Sequence, residues 1–278
     1  MNFRKIELND KSIILEYLKI SPKYNCDFCF TNLYVLKDYY NTEICIEDNI
    51  LFLRYLIDNE HLYFIPLGNT SNGIKKLISY TSSCNEDLKI INIEENDLSY
   101  FDNNFIIKHM INNDDYVYLA SDLSHLSGKK YKPKRNLVNS FQKKYDYKVY
   151  PINEININNL DLLNNESFDG ERDAIILAIN NINTLGLDGL YITINNTIVG
   201  LTLGTYSNDT FITHFEKVDY NYTGISQAIN YFLANYLLGK VKYINREEDL
   251  GIEGIKIAKE SYNPINKIKS YTAYYKSH

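Results

Sequence analysis

Tyr243-Ile-Asn-Arg-Glu-Glu-Asp-Leu-Gly251 runs from a short apolar segment into five polar or charged residues and then toward a helix. Val241, Tyr243 and Ile244 have the β-branched and aromatic character of a strand, whereas Asn245 through Asp249 cannot be buried unpaired without a large desolvation cost. The stretch therefore predicts an open strand end. Beyond it, Gly251 and Glu253 lead into Ile255, Ala258 and Tyr262 at helical spacing, with Lys256 and Lys259 on another face. In α/β proteins ligands gather at the carboxyl ends of strands, so one Asn, one Arg and three carboxylates at this corner are either a ligand site or a salt-bridged helix cap.

Working upstream, 226–238 reads as a helix with Ile229, Phe232, Leu233 and Tyr236 as its apolar stripe. Before it lie three strands, 189–194, 197–205 and 210–218, joined by the tight turns Asn195-Asn196 and Ser207-Asn208-Asp209. Helices over 161–168 and 172–185 precede them, after a strand at 148–151. The first half shows the same order: a strand at 3–8, helices near 12–18 and 31–40, strands at 43–47, 50–57 and 61–66, a helix at 74–80 and a strand at 88–93. Strands at 105–110 and 116–119 close that half, and a strand at 268–275 closes the second. The duplicated order predicts two related α/β (α+β) domains, 1–147 and 148–278, each a mixed, mostly antiparallel sheet flanked by helices. The helix at 133–145 falls at the junction, within the first domain.

Composition narrows the class. Apolar residues make 45% of the 278, charged residues 23%, and the 5 Pro and 12 Gly are too few for a linker-rich or collagen-like chain. A net charge of −6 excludes a chain coated in positive charge, so a polyanion must meet a local basic patch. Lys129, Lys130, Lys132, Lys134 and Arg135 supply one, leading into the helix begun by Pro133. They are phosphate-binding candidates with Asn136, or else a solvated face. No stretch approaches the roughly 20 apolar residues of a membrane span, and Glu7, Asp10 and Glu16 break any signal-peptide core, so a soluble, cytoplasmic protein is expected. Cys26-x-x-Cys29 lacks a second Cys or His pair at usable spacing and lies among Phe28, Phe30 and Leu33, which predicts buried, reduced thiols and no metal.

Strand, two helices, a three-strand meander, helix, strand, helix and strand is the order of the GNAT acyltransferase fold, which the second half resembles. That fold binds acyl-CoA pyrophosphate at the turn after its fourth strand. Here the turn is Asp219-Tyr-Asn-Tyr-Thr-Gly-Ile-Ser226, with one glycine and no Arg or Gln. Three segments, Gly128-Lys-Lys-Tyr-Lys-Pro-Lys-Arg-Asn136, Thr213-His-Phe-Glu-Lys217 and 243–251 with Lys259-Glu-Ser-Tyr-Asn-Pro264, resemble the phosphatidylglycerol lysyltransferase C-terminal domain family. The resemblance covers essentially the whole chain and implies two tandem GNAT-like units related to Fem-type peptidyltransferases. It implies transfer of an aminoacyl group from aminoacyl-tRNA to a lipid headgroup, a peptide or a small-molecule amine. Element order alone leaves open an acyl-CoA-dependent N-acyltransferase using acetyl-CoA, and a non-catalytic module for a phosphorylated ligand is a third reading. For transfer, Glu216 or else Glu247 is the expected base, Lys217, Arg246 and Lys259 stabilise negative charge, and Asn245 orients the acceptor. His214 shares a strand face with Glu216 and can simply pair with it, Asp249 can be a helix cap, and Tyr262 continues an apolar stripe.

Overall fold

Asn-Asn, Asp-Asn and Asn-Asp pairs between apolar runs favour hairpins, because Asn and Asp tolerate the positive φ of tight two-residue turns. In a computed structural model describing residues 1–155, 162 and 170–276, Asp48 and Asn49, Asp58 and Asn59, Asn195 and Asn196, and Asn208 all have φ between 50° and 63°. The first part of the chain runs β1 (Arg4–Lys5), α1 (Lys11–Ile20), α2 (Phe30–Val35), β2 (Glu43–Glu47), β3 (Ile50–Ile57), β4 (Glu60–Phe64), α3 (Thr70–Cys84), β5 (Lys89–Ile93) and β6 (Phe105–His109). Next come β7 (Asp115–Leu119), α4 (Ala120–His125), α5 (Lys132–Lys144), β8 (Tyr147–Pro151), α6 (Glu171–Asn180) and α7 (Ile182–Leu185). The last part is β9 (Leu187–Ile194), β10 (Thr197–Ser207), β11 (Thr210–Val218), α8 (Ile225–Leu237), β12 (Tyr243–Asn245), α9 (Glu253–Glu260), β13 (Asn266–Ile268) and β14 (Tyr271–Tyr275). The helix expected over 161–168 lies outside the described residues apart from Leu162.

The chain forms two units, Met1–Asp115 with the described part of Ile268–His278, and the described part of Tyr116–Lys267. Their sheets share a plan. In the first unit the order is β1-β2-β3-β4-β5-β14-β6, with β1 to β4 antiparallel and β4 parallel to β5. In the second it is β13-β7-β12-β11-β10-β9-β8, with β8 to β11 antiparallel and β11 parallel to β12. The division therefore falls between Asp115 and Tyr116 rather than after residue 147. The strands expected to close their own halves are exchanged: β14 sits beside β5, and β7 beside β12. Alternating apolar residues specify a strand but not its neighbour, so order along the chain misassigns both.

The basic helix α5 belongs to the second unit, because its apolar face has its partners there. Val138 and Phe141 are buried with Ile225, Ile229 and Leu233 of α8 and with Ile192, Val199, Phe211 and Ile244 of the sheet. Full burial of one such side chain contributes about 1.5–3 kcal/mol. Close approach needs Gly224: at φ 86°, a Cβ there would lie 2.5 Å from the Leu137 carbonyl oxygen.

In the first unit Cys26 is buried, its thiol donating to Asp115 at 3.1 Å, while Cys29, expected to be buried with it, is partly exposed. Near the second unit's site, β10 and β11 slip register: Leu203 faces Phe215 and Gly204 faces Thr213, so His214 is the extra residue of a bulge. Bulges of this kind re-aim side chains. Gly204 makes it possible, since a Cβ there would lie 2.0 Å from the Ile212 carbonyl oxygen. Gly204→Ala is expected to destabilise the protein by about 1–3 kcal/mol through overpacking, read by denaturant unfolding. An unchanged midpoint would show that the bulge relaxes freely.

Candidate functional site: the wedge between two strand ends

The parallel pairing of β12 with β11 runs from Thr210↔Tyr243 to Ile212↔Asn245 and stops, although β11 continues to Val218. On its other side β12 stays with β7, since the Arg246 amide donates to the Tyr116 carbonyl at 2.9 Å and the Tyr116 amide donates to the Glu247 carbonyl at 3.1 Å. The chain after Asn245 thus follows β7 and leaves β11, opening a wedge.

Arg246 and Glu216 fill it. An Arg246 Nη2 donates to Glu216 Oε2 at 3.3 Å, with side chains only 12% and 21% exposed. Glu216 Oε1 accepts from Asn230 Nδ2 of α8 at 3.0 Å. The guanidinium carbon lies 5.8 Å from the centroid of the Tyr118 ring and 5.1 Å from that of Tyr262. Burial works against the Arg246 charge, but the Glu216 carboxylate beside it outweighs that cost and keeps the group cationic. Two donors remain uncommitted: Arg246 Nη1 and the Tyr262 hydroxyl are buried without a hydrogen-bond partner among the described residues. Burial also raises the Tyr262 and Tyr118 hydroxyl pKa values, so both stay protonated.

Lys134 comes to the same place. It is half-buried, with Nζ 4.5 Å from the centroid of the Tyr262 ring. Burial, and then the Arg246 charge, lower its pKa below the ordinary lysine value. Its neighbours do other things. Arg135 donates to the Leu126 and Gly128 carbonyls, Lys130 lies 3.5 Å from Asp122, and Lys129 and Asn136 are exposed. The five cations expected to act together are therefore divided between one wedge residue, one loop clamp and a solvated face.

The remaining candidates have other partners. His214, 0% exposed at its side chain, lies 2.8 Å from Glu247 Oε1 through Nδ1 and 2.8 Å from Thr205 Oγ1 through Nε2. The expected pairing with Glu216 is not made, because the bulge at His214 sends the two to different partners. Lys217 pairs with Glu171 of α6 at 2.9 Å. Lys259 Nζ donates to the carbonyls of Arg246 at 2.6 Å, of Glu247 at 3.2 Å, and of Glu248, so its ammonium holds the loop backbone. Asn245 Oδ1 accepts from the Glu247 amide at 2.7 Å, stabilising the turn in which Glu247 has φ 58°. Asp249 accepts from the Tyr116 hydroxyl at 2.6 Å and the Gly251 amide at 2.8 Å. It is not the helix cap expected of it, because α9 starts later, with Ile252 at its N-cap and no side-chain capping bond; Asp249 instead braces the turn before the helix. Tyr262 is in the core, but not through the helical stripe expected for it: α9 ends at Glu260 and buries none of its residues, and Tyr262 follows it with a hydroxyl that has no hydrogen-bond partner among the described residues.

Sequence reasoning missed Asn230, Tyr118 and Glu171. Asn230 had a signal, a short polar residue beside Ile229 in an otherwise apolar helix stripe.

The turn expected to hold CoA pyrophosphate is occupied by its own bonds. Amides of Asn221, Tyr222 and Ile225 donate to Asp219 Oδ1, the Asp219 carbonyl and the Tyr222 carbonyl, and the Thr223 amide donates to the Tyr145 hydroxyl at 3.1 Å. Helix α5 also presses on this turn at Gly224.

A tandem pair of GNAT-plan sheets, with a basic helix feeding a closed wedge, narrows the comparison with known proteins to a few families. The profile of the phosphatidylglycerol lysyltransferase C-terminal family matches residues 18–274. The chain belongs to this family. A conserved protein of unknown function from Bacteroides thetaiotaomicron is 32% identical, with 99% of each chain covered and a TM-score of 0.88. L-PGS from Bacillus licheniformis shares 14% identity over 97% of this chain and 93% of its own, at a TM-score of 0.71. FemX, at 9% identity, covers 99% of this chain and 97% of its own with a TM-score of 0.56. These last two show a common fold. A search of curated proteins finds no match. Among the described residues no helix is long and apolar enough to cross a membrane.

The lowered Lys134 pKa gives a signed prediction. The unfolded chain keeps this proton up to the ordinary lysine pKa, whereas the folded protein gives it up earlier, so the charge costs stability at neutral pH and the cost fades as pH rises. Lys134→Met is expected to raise Tm at pH 7, with the gain shrinking toward pH about 10.4, the usual lysine value. A gain constant with pH would assign it to packing instead.

Proposed function

We propose that the protein is an aminoacyl-tRNA-dependent aminoacyltransferase, with the wedge between β11 and β12 as its reaction site. The observation that carries the reading is the buried Glu216–Arg246 pair at that splay, in a chain of the phosphatidylglycerol lysyltransferase C-terminal family. Attack on the ester carbonyl of charged tRNA needs a proton acceptor, a donor for the oxyanion and a grip on phosphates. Glu216, oriented by Asn230, takes the proton of the attacking amine or hydroxyl. Arg246, with Nη1 free of other bonds, donates to the developing oxyanion. As the tetrahedral intermediate collapses, the ester C–O bond breaks and Glu216 returns the proton to the departing ribose hydroxyl. The exposed Lys129 and Lys132, with Lys130, attract the tRNA backbone. Neutralising one of these lysines should flatten the salt dependence of binding by a slope of about 0.9 in duplex regions.

Acyl-CoA dependence is disfavoured, because the turn at 219–226 has committed four of its amides, three within the turn and one to Tyr145. Titration calorimetry with acetyl-CoA should show no binding at micromolar concentrations. Saturable binding would return the acyl-CoA reading to first place.

Glu216→Gln keeps the shape and one acceptor oxygen, enough for Arg246 or Asn230 but not both in their present geometry, and cannot take the proton. Transfer from a mixture of charged tRNAs should fall by about 10²–10⁴-fold. The substitution also leaves the Arg246 charge buried, so stability falls too, toward the few kcal/mol typical of a broken buried pair. Activity is therefore compared at a temperature where both proteins are folded by circular dichroism. Full activity in the folded variant would remove Glu216 from the mechanism.

A further inference from the structure

Most charged groups of the wedge have fixed partners, yet one corner has an excess of donors. Around the Tyr262 ring stand Lys134 Nζ at 4.5 Å and the Arg246 guanidinium at 5.1 Å from its centroid. The Tyr262 hydroxyl and Arg246 Nη1 are both buried and, among the described residues, without a hydrogen-bond partner. Leaving a buried donor unpaired forfeits its hydration, at a higher cost for a charged group, so two such donors on a guanidinium and the ring it lies against are a destabilising arrangement unless something else binds them. The carboxylate that acts on Arg246 and Tyr262 is Glu216, already shared between Arg246 Nη2 and Asn230, while burial and the Arg246 charge are what act on Lys134. Two cations against one anion leave the corner with an excess of positive charge.

We infer that this corner, formed by Arg246 Nη1, the Tyr262 hydroxyl and Lys134 Nζ, is a binding site for an anionic group of the substrate, a phosphate or a carboxylate, and that it disfavours a cationic aminoacyl side chain. Bidentate or forked donation to oxyanions is what a guanidinium supplies best, and a phenol hydroxyl and an ammonium complete the set. The second half of the inference rests on the aminoacyl-transfer reading. A lysyl or arginyl side chain would enter with Arg246 and Lys134 as like charges and with Glu216 already engaged by Arg246 and Asn230, whereas a neutral or acidic one meets no such penalty. The chain would thus differ from what its family's name suggests in the amino acid it carries.

The test begins without turnover. The full chain is titrated with inorganic phosphate and, separately, with acetate, alongside Tyr262→Phe and Lys134→Met. Saturable binding of one anion by the wild type, weakened about tenfold or more in both variants, supports the site, and the anion preferred distinguishes phosphate from carboxylate. Absence of binding by either anion, or equal binding by Tyr262→Phe, overturns it and leaves the orphan donors to an ordered water. The second arm compares lysyl-tRNA with alanyl- and glutamyl-tRNA as donors. Lysine transferred at least as fast as the others overturns the exclusion while keeping the transferase reading. If no donor is used, the transferase reading falls and the anion titration alone decides the site.

Discussion

A buried arginine is the constraint on which the second unit depends. Moving a cation out of water costs several kcal/mol even after relaxation, so Arg246 is tolerable only where a carboxylate, aromatic faces and backbone geometry are already in place. Glu216 comes from β11, Asn230 from α8, Tyr118 from β7 and Tyr262 from the end of α9. Four elements are thereby tied to one guanidinium. The wedge exists because β12 keeps its hydrogen bonds to β7 while losing β11, and the ion pair spans the gap that results.

The surrounding scaffold serves to hold that geometry. Tyr116, Tyr118 and Tyr131 send their hydroxyls to Asp249, to the Lys259 carbonyl and to the Tyr262 carbonyl, at 2.6, 2.8 and 3.0 Å. Lys259 closes the loop from the other direction by capping successive carbonyls. The charged side chains of this segment therefore serve different ends. Lys259 and Asp249 build the loop, and Arg246 reaches into the wedge. A cation held by three carbonyls has little left for a substrate, whereas an arginine with one nitrogen unspent is a donor in waiting.

Much of this was legible in the sequence, and the failures have physical causes. The hairpins of β9 to β11 follow from β-branched runs punctuated by Asn-Asn and Asn-Asp, which is local chemistry. The polar corner at 245–249 is visible because five consecutive polar residues cannot continue a buried strand. Exchange of β7 and β14 is not visible, since sheet neighbours are chosen by long-range packing that strand patterning does not encode. Lys134 is a similar case. On its own helix it belongs to a cationic run, and only the position of Tyr262, far along the chain, turns it inward. His214 shows how one glycine alters a site: Gly204 permits the bulge, and the bulge gives His214 to Glu247 and leaves Glu216 to Arg246.

The central claim is that the Glu216–Arg246 wedge receives the reacting ester. A crystal structure of the protein with a non-hydrolysable amide analogue of aminoacyl-adenosine tests it most directly. The analogue's carbonyl oxygen is expected within hydrogen-bonding distance of Arg246 Nη1, with Glu216 beside the face open to an incoming nucleophile. An analogue bound elsewhere on the protein, with Arg246 and Glu216 undisturbed, would contradict the claim.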